Sequence, residues 1–220
     1  MSAADRRPAG ILVSDVDSTF LTQEVIELVA EHAGTREQVE QVTARAMRGE
    51  LDFAASLRER VATLAGLPEG VLAAVREALV PTPGALDLFA RARAEGWVTA
   101  LVSGGFHEII DPLAAETGVH HVLANRFEVR DGALTGRVAG PIVDRAAKAR
   151  TLRELAERYE VPFERTVALG DGANDIDLLT LAGTGIAFRA KPALRAVADV
   201  QLEGPSLLEA WPWMERAAAA

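Results

Sequence analysis

The chain has 220 residues, 49% of them hydrophobic, and a formal net charge of -9. It can bury a substantial core, so a disordered chain is excluded, and its length fits one domain or one core domain carrying an insertion. The acidic balance argues against a nucleic-acid partner, because a phosphate backbone would be repelled. It leaves open a small phosphorylated ligand in a locally positive site.

There is no cysteine, which excludes disulfides, thiolate nucleophiles and cysteine-bound zinc. No stretch approaches the roughly 18 apolar residues that span a bilayer. Residues 1–10 carry no export signal, so a cytoplasmic location and no membrane partner are expected. Nothing in the pattern speaks to oligomeric state.

In chain order, Gly10 to Val13 is a short apolar run that meets Asp15 and Asp17 abruptly. It predicts a buried strand with two carboxylates at its carboxyl end. Four stretches with apolar residues at helical spacing follow: 24–33, 36–47, 53–64 and 71–79. Gly34, Gly49, Gly66 and Pro68 separate them.

After Pro81-Thr82-Pro83-Gly84 the pattern alternates. Helices are expected over 85–95, 108–117, 145–159 and 175–181, with strands over 97–102, 119–123, 166–169 and 185–188. Asp131-Gly132 marks a hairpin between two short strands within 127–138. Trp211 and Trp213 are expected to pack a final helix onto the core, and the four histidines form no metal-binding spacing.

Strand-helix alternation implies an α/β fold, a Rossmann-like parallel sheet covered on both faces, with a helical cap inserted after the first strand. The expected division is a core of residues 1–21 and 81–220 and a cap of residues 22–80. Ligands of such sheets bind beyond the carboxyl ends of the strands.

Four polar clusters are expected at that rim. Asp15 and Asp17, two residues apart, suit a hard oxygen-liganded cation such as magnesium. One carboxylate can attack phosphorus and the other can move a proton. A lone pair of this kind also fits an Asp-rich turn. Ser103-Gly104-Gly105 offers a hydroxyl and open backbone N–H groups ahead of a helix, or a flexible turn.

Lys148 is a point charge on a predicted helix, and of 23 basic residues only it and Lys191 are lysines. In Gly170-Asp171-Gly172-Ala173-Asn174-Asp175 the acids suit a cation and Asn174 suits a phosphate or its ligands. A surface turn does not account for three polar groups directly after the apolar 166–169.

The four clusters resemble the motifs of the haloacid dehalogenase superfamily and, within it, the phosphoserine phosphatases. Asp-Val-Asp-Ser-Thr, Ser103-Gly104, Lys148 and Gly-Asp-Gly-Ala-Asn-Asp occur in the family's order from Ile11 to about Val200. The resemblance implies Asp15 as nucleophile, Asp17 as general acid/base, and Ser103, Gly104 and Lys148 as holders of the phosphoryl group. It implies magnesium bound by the Asp15 carboxylate, the Asp17 carbonyl and Asp171, with Asn174 and Asp175 in support.

The stretch from Ala46 to Arg60 resembles the phosphoserine phosphatase cap. By that resemblance Glu24 pairs with the substrate ammonium, Arg60 with its carboxylate, and Met47 and Phe53 form an apolar lid. Phe20 stands where many relatives carry Leu, a difference of packing. No amino-terminal regulatory domain precedes the first motif, so feedback control through one is not expected.

The expected reaction is magnesium-dependent hydrolysis of O-phospho-L-serine, the last step of serine biosynthesis. Two alternatives stay open. One is hydrolysis or phosphotransfer on another small phosphomonoester, such as homoserine phosphate or phosphoethanolamine. The other is a non-catalytic sensor of a phosphorylated ligand.

Overall fold

In a computed structural model the structure describes residues 7–47 and 50–220. The side chain of Met47 lies outside the described part. The elements in order are β1 (Ile11–Ser14), α1 (Val25–Ala33), α2 (Arg36–Met47), α3 (Phe53–Ala62), α4 (Val71–Glu77) and α5 (Ala85–Ala94). Next come β2 (Val98–Phe106), α6 (His107–Thr117), β3 (His121–Arg130), β4 (Ala133–Ala139) and α7 (Arg145–Arg158). The chain closes with β5 (Thr166–Gly170), α8 (Ile176–Leu181), β6 (Thr184–Phe188), α9 (Pro192–Arg195), β7 (Val200–Leu202) and α10 (Trp211–Ala218).

The seven strands form one sheet in the order β4-β3-β2-β1-β5-β6-β7. All pairs are parallel except β3 with β4. β1 is central. The chain builds outward from it through β2 and β3, then returns to place β5 on its other flank. The order reverses there, and a crevice opens beyond the carboxyl ends of β1 and β5.

The period of two along β1 places its residues in two cores. Leu12 faces a core shared with Leu88 and Phe89 of α5, Ile109 and Ile110 of α6, and Met214 of α10. Ile11 and Val13 face a second core with Leu152 of α7, Leu178 of α8 and Leu194 of α9. Trp211 is buried in the first core, as expected for a final packing helix.

The four helices α1–α4 lie between β1 and the rest of the sheet in sequence and extend the first core through Val25, Val29, Leu57 and Val75. The chain enters and leaves them through paired segments: Thr22 N–H donates to the Val80 carbonyl at 3.0 Å and Thr82 N–H to the Phe20 carbonyl at 2.9 Å. A second tie joins the α3–α4 loop to the β3–β4 hairpin, where Gly66 N–H reaches the Leu134 carbonyl at 2.8 Å.

The hairpin turn is the expected Asp131-Gly132, with φ of 50° and 75°. Two positive φ values match the right-handed twist of the flanking strands. Two expectations are corrected. The strand expected over 119–123 and the first hairpin strand are one continuous β3, and β2 continues through Ser103–Phe106, where a turn was expected. Glycines in sequence read as a break, but here β3 carries the backbone onward by pairing Asn125 with Phe106, while the pairing with β1 ends at Leu101.

The adjacent histidines take different partners: His120 Nδ1 accepts from the Thr99 N–H at 3.1 Å, while His121 Nε2 meets the Tyr159 hydroxyl at 2.7 Å. Both are packing contacts far from metal-ligand spacing.

Phe20 is fully buried and meets Phe89 edge to face, with ring centroids 4.9 Å apart. Replacing it with Leu removes an aromatic pair worth about 0.5–1.5 kcal/mol beyond area burial. Replacing it with Ala also leaves a cavity, for about 3–5 kcal/mol in all. Denaturant unfolding of Phe20→Leu and Phe20→Ala is expected to rank them in that order below the parent chain; equal stabilities would contradict the packing described.

Candidate active site

The carboxyl end of β1 delivers Asp15 into the crevice. Its N–H donates to the Leu169 carbonyl of β5 at 2.9 Å, so the residue stays tied to that strand. Its side chain is buried and fully engaged. Oδ1 accepts from the Val16 N–H at 2.7 Å and lies 2.9 Å from Lys148 Nζ. Oδ2 accepts from Asn174 Nδ2 at 3.2 Å.

After Asp15 the backbone turns sharply. Ser18 sits at φ 55° in the left-handed region, and the Leu21 N–H returns to the Val16 carbonyl at 2.8 Å. This turn aims Asp17 back at the sheet. Asp17 Oδ1 accepts from the Val25 N–H at 2.7 Å, and Oδ2 accepts from the Ser103 hydroxyl at 2.9 Å. The Ser18 hydroxyl donates to Glu24 Oε1 at 2.7 Å.

Lys148 rises from the second turn of α7 and is 1% exposed. Its Nζ lies 2.8 Å from Asp175 Oδ1, so one ammonium joins Asp15 and Asp175. Asp175 Oδ2 accepts from the Gly172 N–H at 3.2 Å. Gly170 is required here: a Cβ on it would stand 2.5 Å from the Asp175 carboxyl carbon. Asp171 completes the group, with Oδ2 3.2 Å from Lys191 Nζ.

A cavity of about 390 Å³ opens in front of these residues. Asp15, Asp17, Gly104, Asp171 and Asn174 line its floor side, and Glu24, Phe53 and Arg60 line the helical side. Ser103, Lys148 and Asp175 are not on the cavity wall; they are buried behind it. The Phe53 ring lies so close over Gly104 that a Cβ there would be 2.8 Å from it. Met47 ends α2, and its side chain lies outside the described residues.

Two basic lining residues carried no assigned role in the sequence. Lys191 enters the cavity from the turn before α9, and Arg145 enters from the first turn of α7, bound to Asp177 by its Nε at 2.8 Å. Being the second of only two lysines was the one available signal for Lys191. Arg145 is one of many arginines and gave none.

Burial and mutual repulsion dominate the electrostatics. Burial, then the charges of Glu24 and Asp15, raise Asp17 to about 7. Burial and Asp15 raise Asp171 to about 6, against the pull of Lys191. Burial and Asp15 raise Asp175 to about 8, against Lys148. Burial would drive the Lys148 ammonium toward neutrality, but Asp15 and Asp175 together outweigh it and hold the charge. Burial lowers Arg60, with Glu24 and Asp17 opposing.

Negative charge is therefore in surplus. Carboxylate oxygens of Asp15, Asp171 and Asp175 lie within 4.8 Å of one another, all buried. An all-oxygen acidic set fits a hard divalent cation, whose charge would offset the repulsion that raises these groups.

A family model described as haloacid dehalogenase-like hydrolase matches residues 12–180. The chain is 56% identical over 201 residues to the phosphoserine phosphatase SerB2 of Mycobacterium tuberculosis, covering 91% of this chain and 49% of that protein. It thus spans about half the length of that relative. It is 44% identical to the phosphoserine phosphatase of Lactococcus lactis, covering 95% of this chain and 97% of the relative. A solved structure of a phospho-aspartyl intermediate analogue of phosphoserine phosphatase superposes with a TM-score of 0.88 at 38% identity, covering 93% of this chain and 98% of the other.

The raised carboxyl groups yield a stability prediction. A group that binds its proton more tightly in the folded chain contributes fully below its ordinary value of 3.8, and that contribution is lost as pH rises through the folded value. For Asp171 that loss runs from about pH 3.8 to about 6, and for Asp175 it continues to about 8, so between pH 6 and 8 Asp175 carries it, joined by Asp17 at about 7. Chelator-treated protein is therefore expected to have a lower denaturant midpoint at pH 8 than at pH 6, with a smaller drop in Asp175→Asn. Identical drops in the two proteins would overturn this account.

Proposed function

This chain belongs to the haloacid dehalogenase-like hydrolases, and from that premise we propose that it is a magnesium-dependent phosphatase that converts O-phospho-L-serine to L-serine and phosphate. The observation that carries the reading is the setting of Asp15. It faces the cavity, held by a buried ammonium and an amide, with a second carboxyl two residues away whose proton affinity lies near neutrality.

In the proposed first step an Asp15 oxygen attacks phosphorus in line. The bond to the seryl oxygen breaks, and Asp17 gives that oxygen its proton. In the second step the Asp17 carboxylate takes a proton from water, the water oxygen attacks phosphorus, and Asp15 is released as carboxylate. An acid near 7 is poised to run in both directions at neutral pH.

Lys148 offsets charge on the phosphoryl oxygens and on Asp15, and Ser103 and Gly104 hold the phosphoryl group. Asp15, Asp171 and the Asp17 carbonyl would hold magnesium, with Asn174 and Asp175 supporting them. When bound, the ion supplies further positive charge to the transferring group.

Residues 22–80 act as a helical cap over a core of residues 1–21 and 81–220. In the cap, Glu24 would meet the substrate ammonium and the Arg60 guanidinium would grip its carboxylate as a two-pronged fork. Phe53 and Met47 would exclude water. The opposite charges of Glu24 and Arg60 on the same side of the cavity favour an amino-acid ester over esters that lack one of the two groups. On this reading the reaction is the last step of serine biosynthesis and its location is the cytoplasm.

Phosphate release with magnesium tests the reading. L-phosphoserine is expected to outpace phosphoethanolamine, which lacks the carboxylate, and chelator to abolish the activity. Asp15→Asn is expected to lose on the order of 10⁴-fold or more in kcat, as losses of nucleophiles do. Arg60→Lys keeps the charge but loses the fork, so KM for L-phosphoserine should rise about 10-fold or more while kcat changes less. Normal turnover by Asp15→Asn would end the covalent scheme; an unchanged KM in Arg60→Lys would end the carboxylate assignment.

A further inference from the structure

Asn125 lies in β3, is 1% exposed, and does not line the cavity. Between Val102 and Phe106 strand β2 advances four residues while β3 advances two, from Leu123 to Asn125. The surplus makes β2 bulge at Ser103–Gly105. Inside the bulge the Gly104 carbonyl accepts from Asn125 Nδ2 at 2.8 Å. The other end of the same amide, Oδ1, accepts from the Val143 N–H at 2.9 Å. Both partners are backbone groups of fixed polarity. The amide nitrogen must therefore face Gly104 and its oxygen must face Val143.

From Gly104 a continuous run of hydrogen bonds leads to Asp17. The peptide carrying the Gly104 carbonyl also carries the Gly105 N–H, which donates to Ser103 Oγ at 2.7 Å. The Ser103 hydroxyl then donates to Asp17 Oδ2 at 2.9 Å. Hydrogen bonds in such a chain polarise one another and fix one another's direction. On the other side, Val143 leads directly into Asp144. The Asp144 carboxylate caps α7 through the Ala147 N–H at 2.8 Å, and its carbonyl accepts the Lys148 N–H at 3.1 Å.

We propose that Asn125 is a positioning residue: its buried amide sets the Gly104–Gly105 peptide, and through it the Ser103 hydroxyl that holds Asp17, while tying the same bulge to the lead-in of the helix that carries Lys148. The role of Asp17 rests on the function proposed above; the hydrogen-bond path does not.

Asn125→Asp is the discriminating variant. It has nearly the same shape and keeps an acceptor for Val143, but it turns an oxygen toward the Gly104 oxygen. The expected result is a fall in kcat of about 10- to 100-fold, the range typical of removing a partner that orients a site group. KM for L-phosphoserine should change little. In substrate-free and metal-free protein the Gly105 amide resonance should move while the Val143 resonance stays near its place.

Leu134→Ala, a buried change outside this path, serves as the stability control and should lower the unfolding midpoint without moving the Gly105 resonance. A Gly105 resonance that stays in place in Asn125→Asp overturns the proposal. So does a kcat loss equal to that of Leu134→Ala at matched stability. Should Asn125→Asp not fold, the parent protein still decides: a through-hydrogen-bond coupling between the Asn125 side-chain nitrogen and the Gly104 carbonyl carbon is expected, and its absence overturns the proposal. A parent chain that hydrolyses no phosphomonoester would sink the proposed function alone, leaving the Gly105 resonance to judge Asn125.

Discussion

The site depends on one buried ammonium. Lys148 Nζ sits between Asp15 and Asp175 at 2.9 and 2.8 Å, with all three side chains at most 2% exposed. Burying these charges is costly, and their attraction offsets the cost only when the geometry is good and the remaining lone pairs are satisfied. Here they are: Val16 N–H and Asn174 serve Asp15, and Gly172 N–H serves Asp175. Removing one partner of such a group typically costs about 3–5 kcal/mol, because an uncompensated charge is left behind. The cluster joins a helix to the ends of two strands, so the chemistry and the local fold share a support. A compact ammonium fits between two carboxylates that approach from different elements, whereas a planar guanidinium fork would require both on its own plane.

The sheet makes that meeting possible. Asp15 follows β1 and Asp171 follows β5, neighbours paired in register from Ile11 with Thr166 to Ser14 with Leu169. Residues more than 150 positions apart in sequence are thus brought to one edge by four paired residues each. The two cores on either face of the sheet hold β1 rigid from both sides. The attack proposed for Asp15 needs such a base, since small displacements of reacting groups are costly in rate.

Local signals made the strand ends and helices legible. Ile11–Val13 turns to Asp15 without transition, Gly34 closes α1 in the left-handed conformation, and Asp131-Gly132 forms the hairpin turn its composition calls for. Most of the polar residues that meet at the crevice stood out in sequence because four motifs occur in a recognisable order. What was not legible depends on partners remote in sequence. Gly104-Gly105 reads as a break, yet β2 runs on because β3 continues beside it and pairs Asn125 with Phe106. Lys191 enters the cavity only because the turn before α9 is anchored by its N–H to the Asp171 carbonyl at 2.8 Å. Asn125 falls between two expected strands and reads as an ordinary polar linker residue, and only its two backbone partners give it meaning.

Gly104 shows how the helical insertion and the sheet constrain one another. On the sheet side its carbonyl is held by Asn125. On the helix side the Phe53 ring occupies the space a Cβ would need, 2.8 Å from its ideal position. Glycine is thus demanded by close approach, since no positive φ is required of it there. A bulkier residue would displace Phe53 from α3 or rotate the peptide that carries the Gly105 N–H. Either movement would reach the Ser103 hydroxyl and so Asp17. The glycine of the second motif therefore links the Phe53 ring above the cavity to the hydrogen bonds that hold Asp17 within it.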